Sequence, residues 1–239
     1  MTVRDEPLTR RERLHAATVA EIKDAARRLL AAEGAAGITL RAVSRELGMT
    51  PSALYRYFDG HHALLTALIV DSFDELGDRV EAAVAELGPD GDAAEGFLRA
   101  ARAFRTWAIG SPHEFALLYG SPVPGYEAPE STLGHQLRTS GQLLALYVRG
   151  VETGRFAPPV TDDELAPGLR AAMDEVIGTK GEFAQLSSAA AALALTCWST
   201  LLGTISAEVF GHLPPAAHAA PDELFELAMR RQLVALGAR

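Results

Sequence analysis

Residues 39 to 65, reading TLRAVSRELGMTPSALYRYFDGHHALL, hold two short helical patterns that meet at a glycine, and the second opens on a proline. That punctuation reads as a helix-turn-helix, although any compact helical protein can contain a helix, a glycine turn and another helix. Leu40, Val43 and Leu47 recur at i, i+3 and i+7, so one face is apolar while Arg41, Ser44, Arg45 and Glu46 stay outside. Thr39 is the expected N-cap, offering its hydroxyl to the free amides of the first turn. Gly48 stops the first helix, Thr50 stands where it can cap the second, and Pro51 occupies a first-turn position at which a missing N–H costs nothing. Leu54 and Phe58, four residues apart, hold the second helix against the first. Ser52, Ala53, Tyr55, Arg56 and Tyr57 are spread over its remaining surface, and such small, hydroxylated and basic groups suit a DNA major groove.

The flanks supply what that pair needs in order to be buried. Upstream, Thr18-Val19-Ala20-Glu21 has capping-box spacing and is followed by Ile22, Ala25, Ala26, Leu29 and Leu30, with Gly34 as the stop. This predicts a helix starting at Thr18. Downstream, Asp59 is placed to cap a long helix that starts near Gly60, carries Leu64, Leu65, Leu68, Phe73 and Leu76, and breaks at Gly88-Pro89.

In this order of helices, and in the LYRYF run that ends the second helix of the pair, residues 18 to 68 resemble the TetR family of bacterial transcriptional regulators. The resemblance implies phosphate contacts for Thr39 and Tyr55, a phosphate or base-edge contact for Arg41, and groove-facing positions at Thr50, Ser52, Ala53 and Arg56, with Tyr57 beside them. The chemistry of these side chains suits those roles. Arginine can bridge guanine O6 and N7, hydroxyls bind phosphate, and an alanine methyl can touch a thymine methyl. One position departs from the pattern. Where many members carry a lysine just after the recognition helix, this chain has His61, followed by His62. A neutral imidazole donates one hydrogen bond but lacks the permanent charge of lysine. Adjacent helical residues diverge and no further ligand spacing accompanies them, so no metal is expected there.

Charge is divided unevenly along the 239 residues. The net charge of −9 appears unfavourable for DNA, yet residues 1–70 hold ten Lys/Arg against eight Asp/Glu, whereas residues 71–239 hold twelve against twenty-three. Arg10, Arg11 and Arg13 form an expected basic arm for phosphates or a minor groove, with a solubilising tail as the alternative. Cys197 is the single cysteine, which excludes an intrachain disulfide, and its apolar neighbours suggest a buried thiol. A charged N-terminus without an apolar core and a reduced thiol fit a cytoplasmic location. Phe183 to Ala207 carries no charge and is long enough to cross a membrane, but its many Ser, Thr and Ala residues argue against a span.

That same stretch reads better as a core helix. Leu186, Ala190, Leu193, Ala194, Cys197 and Leu201 make one face, and Ala192, Leu195, Leu202 and Val209 widen it. A last helix from about Asp222 to Leu236 is equally broad, with Leu224, Phe225, Leu227, Ala228, Met229, Leu233 and Val234. Two such helices can pair with their copies in a four-helix interface, which is also where the family resemblance places dimerisation; a buried intrachain hairpin is the alternative. Leu195, Leu202, Val209, Leu224, Leu227 and Ala228 are the expected dimer contacts. SPHEFALLYGSPVPGY and CWSTLLGTISAEVFGHL resemble the C-terminal domain of a TetR subgroup with a Trp-His-Gly signature; Trp198 and Gly203 match it, whereas Leu202 replaces the histidine.

Phe104, Trp107, Phe115, Tyr119, Tyr147, Met173 and Trp198 are candidate walls of a cavity for a small hydrophobic effector, with plain core packing as the alternative for each. His113, Glu114, Gln142 and Glu152 are candidate polar partners. GxSxG, GxxxxGK[ST], HExxH and CxxC are all absent, so no catalytic residues and no cofactor are expected; Gly178-Thr179-Lys180-Gly181 reads as a polar loop. The sequence therefore predicts an all-α protein in three parts: a basic arm (residues 1–17), a helix-turn-helix DNA-binding domain (18–65) and a larger helical effector-binding and dimerisation domain (66–239). Its expected function is a dimeric repressor that binds a palindromic operator in double-stranded DNA and is released by a small molecule. The alternatives are a helical interaction module or an enzyme using the C-terminal cavity. Neither involves DNA.

Overall fold

A computed structural model describes residues 9–88, 90–179 and 186–239, and among these it contains ten α-helices with no strand beyond a single isolated bridge. The arm expectation for residues 1–8 and the loop expectation from Lys180 onward lie outside the described residues, as do the first three residues of the charge-free stretch.

Helix α1 (Arg10–Glu33) starts earlier than the Thr18 expectation. Thr9 is the cap. Its hydroxyl accepts from the Glu12 amide at 3.3 Å while Glu12 Oε2 accepts from the Thr9 amide at 2.7 Å, a reciprocal capping box. Thr9-x-x-Glu12 has the same spacing as Thr18-x-x-Glu21, and the intervening Arg, Leu and Ala residues favour helix, so the earlier cap prevails. Thr18 lies inside the helix and donates to the Leu14 carbonyl at 3.0 Å. Ile22, Ala25, Ala26, Leu29 and Leu30 are buried as the pattern predicts, and Gly34 ends the helix at φ +71°, where a β-carbon would be strained.

Helix α2 (Leu40–Glu46) is capped by Thr39, whose hydroxyl accepts from the Ala42 amide at 3.0 Å. Helix α3 (Pro51–Leu54) follows the turn at Gly48 and continues as a hydrogen-bonded turn to Phe58, whose amide reaches Leu54 O at 3.0 Å. Thr50 is at the cap position but makes no capping bond; its hydroxyl pairs instead with that of Ser52 at 3.1 Å. Ile38, Val43 and Leu54 are fully buried, and Leu40 and Phe58 nearly so, as α2 packs on α1 and α3 on α2. Helix α4 runs over Gly60–Ala85, α5 over Ala93–Gly110, α6 over Pro112–Tyr119, α7 over Leu133–Glu152, α8 over Pro167–Thr179, α9 over Ser188–Val209 and α10 over Pro221–Ala235.

The chain divides into two compact units. The first extends to Ser72 and includes His113–Leu133; the second comprises Phe73–Pro112 and Gly134–Arg239. In the second unit α9 packs on α5, α8 and α10 around Phe97, Phe104, Trp107, Leu201, Ile205, Phe225 and Met229. Length and hydropathy alone would let α9 cross a membrane, but Ala189, Ala190, Ala191, Cys197, Leu201 and Ile205 are buried within the unit. Helix α10 is also tied by charge. Arg102 on α5 forks onto Glu226, with Nη2 to Oε2 at 2.7 Å, and Arg105 holds Glu208 on α9 and Asp222 on α10, each at 2.7 Å.

The Arg102 hydrogen bond keeps the Glu226 carboxyl below the usual value of 4.5. A carboxyl with a lower pKa folded than unfolded stabilises the fold above its unfolded value, and that contribution disappears as pH falls through the folded value. The melting temperature is therefore expected to drop below pH ~4.5 more steeply in the native chain than in Glu226→Gln. Equal slopes in scanning calorimetry would show that this fork does not matter.

Helix α7 is fixed at both ends. Near its start, Arg138 lies across α4, reaching Asp74 Oδ1 at 3.1 Å, Asp78 Oδ1 at 2.5 Å and Glu81 Oε2 at 2.6 Å. Burial opposes ionisation of Asp74, but hydrogen bonds from His135 and Arg138 outweigh it and hold that carboxyl below its ordinary value. The guanidinium fits because Gly77 has no side chain: a β-carbon there would come within 3.0 Å of Arg138 Cζ and Nε. At the other end of α7, a β-carbon on Gly150 would come within 2.0 Å of the Phe156 ring. Gly150→Ala is expected to cost about 1–3 kcal/mol by overpacking, measurable by urea titration, because Phe156 is itself buried.

Candidate DNA interface and candidate ligand cavity

The side chains assigned to DNA fall into three groups in the first unit. Arg41, Thr50, Ser52, Tyr55 and Arg56 are exposed, Ala53 is half-buried, and Thr39 remains exposed while it caps α2. An accepting threonine hydroxyl keeps its proton for a phosphate oxygen. Turning α3 by its buried Leu54 leaves Ser52, Tyr55 and Arg56 on the side away from the core. This is a surface of one guanidinium-bearing helix start, three hydroxyls, a phenol and a second guanidinium. It can satisfy phosphates at its rim and base edges at its centre.

The second group, Arg10, Arg11 and Arg13, is exposed but lies in the first turns of α1, where an arm ahead of the first helix was expected. The cause is the Thr9 capping box. Sequence reasoning also missed His15, whose ring lies 5.0 Å from that of Tyr57 and ties the start of α1 to the end of the recognition segment. Tyr57 is accordingly half-buried. No pattern rule pairs residues 15 and 57, because the contact is tertiary.

The third group is His61. It is half-buried, and its Nε2 is buried with no hydrogen-bond partner, so as placed this nitrogen does not face a phosphate. Its ring sits 5.8 Å from His62, which is edge-on to Tyr126 at 5.9 Å, and Tyr126 shares a 2.9 Å hydrogen bond with Thr66. Other basic groups of this unit are engaged internally: Lys23 with Asp71 at 2.7 Å, Arg27 with Asp71 at 2.8 Å, and Arg28 with Glu46 at 2.5 Å.

The second unit contains a cavity of about 340 Å³ among α7, α8 and α9. Tyr147, Met173 and Trp198 line it, together with Gln136, Ser140 and Cys197, which sequence reasoning did not select. Phe104 and Trp107 are core residues: both are almost fully buried, and Phe104 stacks behind Trp198 at 5.9 Å. Phe115 and Tyr119 belong to the first unit, where their rings pack at 5.4 Å. Neither they nor His113, Glu114, Gln142 and Glu152 line this cavity. Aromatic residues at helical spacing look the same in sequence whether they pack a core or wall a pocket, which is why only three of the seven candidates are found in the wall of this cavity. Burial pushes the Cys197 thiol up to about 12, and burial with Cys197 nearby does the same for Tyr147, so both stay protonated at neutral pH.

An apolar strip lies on α9 and α10. Leu195, Leu224, Leu227 and Val234 are 52%, 38%, 59% and 63% exposed, and Leu202, Val209 and Ala228 are half-buried.

A capped helix-turn-helix with an outward row of phosphate- and base-seeking side chains, carried on a chain with a separate helical unit, defines a helix-turn-helix transcriptional regulator. Comparison with known proteins specifies which kind. Residues 22–68 match the family described as bacterial regulatory proteins, tetR family, and residues 97–232 match the tetracyclin repressor-like C-terminal domain. The HTH-type transcriptional regulator Rv1816 of Mycobacterium tuberculosis is 38% identical over 221 residues, covering 91% of each chain. The crystal structure of a regulatory protein designated SCO4313 superposes with a TM-score of 0.72 at 31% identity, covering 95% of this chain and 100% of that one. A Rhodococcus protein of unknown function shares the fold, with a TM-score of 0.68 at 22% identity over 92% and 95% of the two chains. The chain belongs to the tetR family of bacterial regulatory proteins.

Proposed function

We propose that this regulator is a repressor that binds a palindromic operator as a homodimer in the bacterial cytoplasm and is released when a small hydrophobic effector enters the cavity of the second unit. The observation that carries this reading is that one chain presents both an exposed reading surface on α2 and α3 and an uncovered apolar strip on α9 and α10. The first reads half of a site, and the second joins two halves by a twofold axis. Two recognition helices then enter successive major grooves about one turn, or a small multiple, apart, and the bound dimer obstructs transcription. Residues 18–65 act as the reading domain and residues 66–239 as the effector and dimer domain.

Release requires the effector to favour a different spacing of the two reading surfaces. A coupling of ~2.7 kcal/mol already changes operator affinity about 100-fold. Helix α4 is the lever in this reading. What supports it is that α7, which supplies Gln136, Ser140 and Tyr147 to the cavity wall, is pinned to α4 through Arg138. Selection of bound duplexes from random DNA tests the proposal. A recovered palindrome with two half-sites is expected, and absence of enrichment at low salt would favour the helical interaction module.

A further inference from the structure

We propose that the cavity of the second unit selects uncharged ligands carrying a hydroxyl, carbonyl or amide group, and rejects carboxylates and ammonium ions of the same size and shape. This rests on the reading of that cavity as the effector site and adds to it the chemical class of what enters.

No described residue of the wall carries a formal charge. Charged residues make up 22% of the chain, and α7 and α8 both carry them, so the lack of charge among the described wall residues is not a matter of overall composition. Three of the charged side chains of those helices are engaged elsewhere. Arg138 is held by Asp74, Asp78 and Glu81, Arg149 donates to the Gly91 carbonyl at 2.7 Å, and Asp174 accepts from Ser188. Rotating Arg138 inward would leave three carboxylates without their cation.

What faces the ligand is neutral and polar at only a few points. Gln136 and Ser140 contribute an amide and a hydroxyl, and Tyr147 contributes a phenol that is buried with no hydrogen-bond partner. As placed, that hydroxyl is closed off from the open cavity, so the polar points a ligand meets are the Gln136 amide and the Ser140 hydroxyl. Trp198 and Met173 offer polarisable apolar surface to the remainder. A hydroxyl, carbonyl or amide can be satisfied by these dipoles. A carboxylate or ammonium ion cannot, because it would exchange full hydration for a largely apolar wall without a counter-ion. About 340 Å³ is at the small end of ligand cavities, so a ligand that fills it leaves little space within the wall for an ion's hydration shell.

The test is calorimetric titration of the full-length protein at neutral pH with phenylbutanol, phenylbutyrate, phenylbutylamine and butylbenzene, a set alike in size and differing in charge and polarity. The alcohol is expected to bind at least ~100-fold more tightly than either ion. Ala194→Phe, which fills the cavity, should abolish that binding. Ser140→Ala should weaken the alcohol several-fold and leave butylbenzene unchanged, and it keeps the test available if the bulkier variant does not fold. Binding of either ion within tenfold of the alcohol, and lost in Ala194→Phe, would overturn the charge selection while leaving the cavity as a ligand site. Alcohol binding that survives Ala194→Phe in a folded variant would place it elsewhere and overturn the assignment. Failure of all four compounds to bind the native protein at their solubility limits would overturn the cavity reading and this inference together.

Discussion

Replacing Arg41 and Tyr55 together by alanine is expected to lower affinity for the selected operator by about 100-fold or more, with the melting temperature nearly unchanged. Both side chains are exposed and neither belongs to the core of the first unit, so their loss removes contacts to DNA without opening a cavity. The two singles should differ in kind. Tyr55→Phe removes a phenol expected at phosphate and should weaken all sequences alike, whereas loss of a guanidinium from a base edge would also relax specificity at one operator position. Fluorescence anisotropy against the selected site and single-base variants separates these outcomes. Unchanged affinity in the double variant would remove the α2 and α3 surface from the DNA interface.

Leu227→Asp combined with Val234→Asp is expected to convert the protein to monomers and to reduce affinity for a two-half-site operator by about 100-fold or more. Both side chains are more than half exposed, so the charges meet water in the monomer and repulsion only if two α10 helices face each other. Sedimentation velocity reads the mass, and a single half-site duplex serves as control, since its weak binding should be unaffected. A variant that remains dimeric would shift the interface away from α10. The cavity ligands should still bind the monomer unless Leu195, which is both exposed and part of the cavity wall, requires the partner for its position.

The helix-turn-helix was legible in the sequence because its determinants are local: Thr39 as cap, Gly48 as turn, Pro51 as first-turn residue, and Leu40, Val43 and Leu54 as the inward face all stand where the pattern put them. The start of α1 was not, because two Thr-x-x-Glu spacings compete and local rules do not rank them. The fate of a side chain that lies between helices was still less legible. Phe104 and Trp198 are both aromatic residues within long helices, yet one is sealed behind the other, a difference set by how α5 and α9 pack. His61 was marked by its departure from the family pattern, but the burial of its Nε2 depends on contacts no periodicity describes.

Cys197 gives the cavity a chemical clock. It is the chain's single cysteine, it lies in the cavity wall, and its thiol is pushed up to about 12, so at pH ~8 only about one molecule in ten thousand is thiolate. Alkylation of the folded protein by a maleimide is therefore slow for a reason that urea abolishes. A label attached under native conditions marks an event that brings the reagent to the thiol, through the cavity mouth or by an excursion of α9. The alkylation rate then counts such events one site at a time, without a dye, a tag or knowledge of the natural ligand. A compound that fills the cavity should lengthen the interval between them.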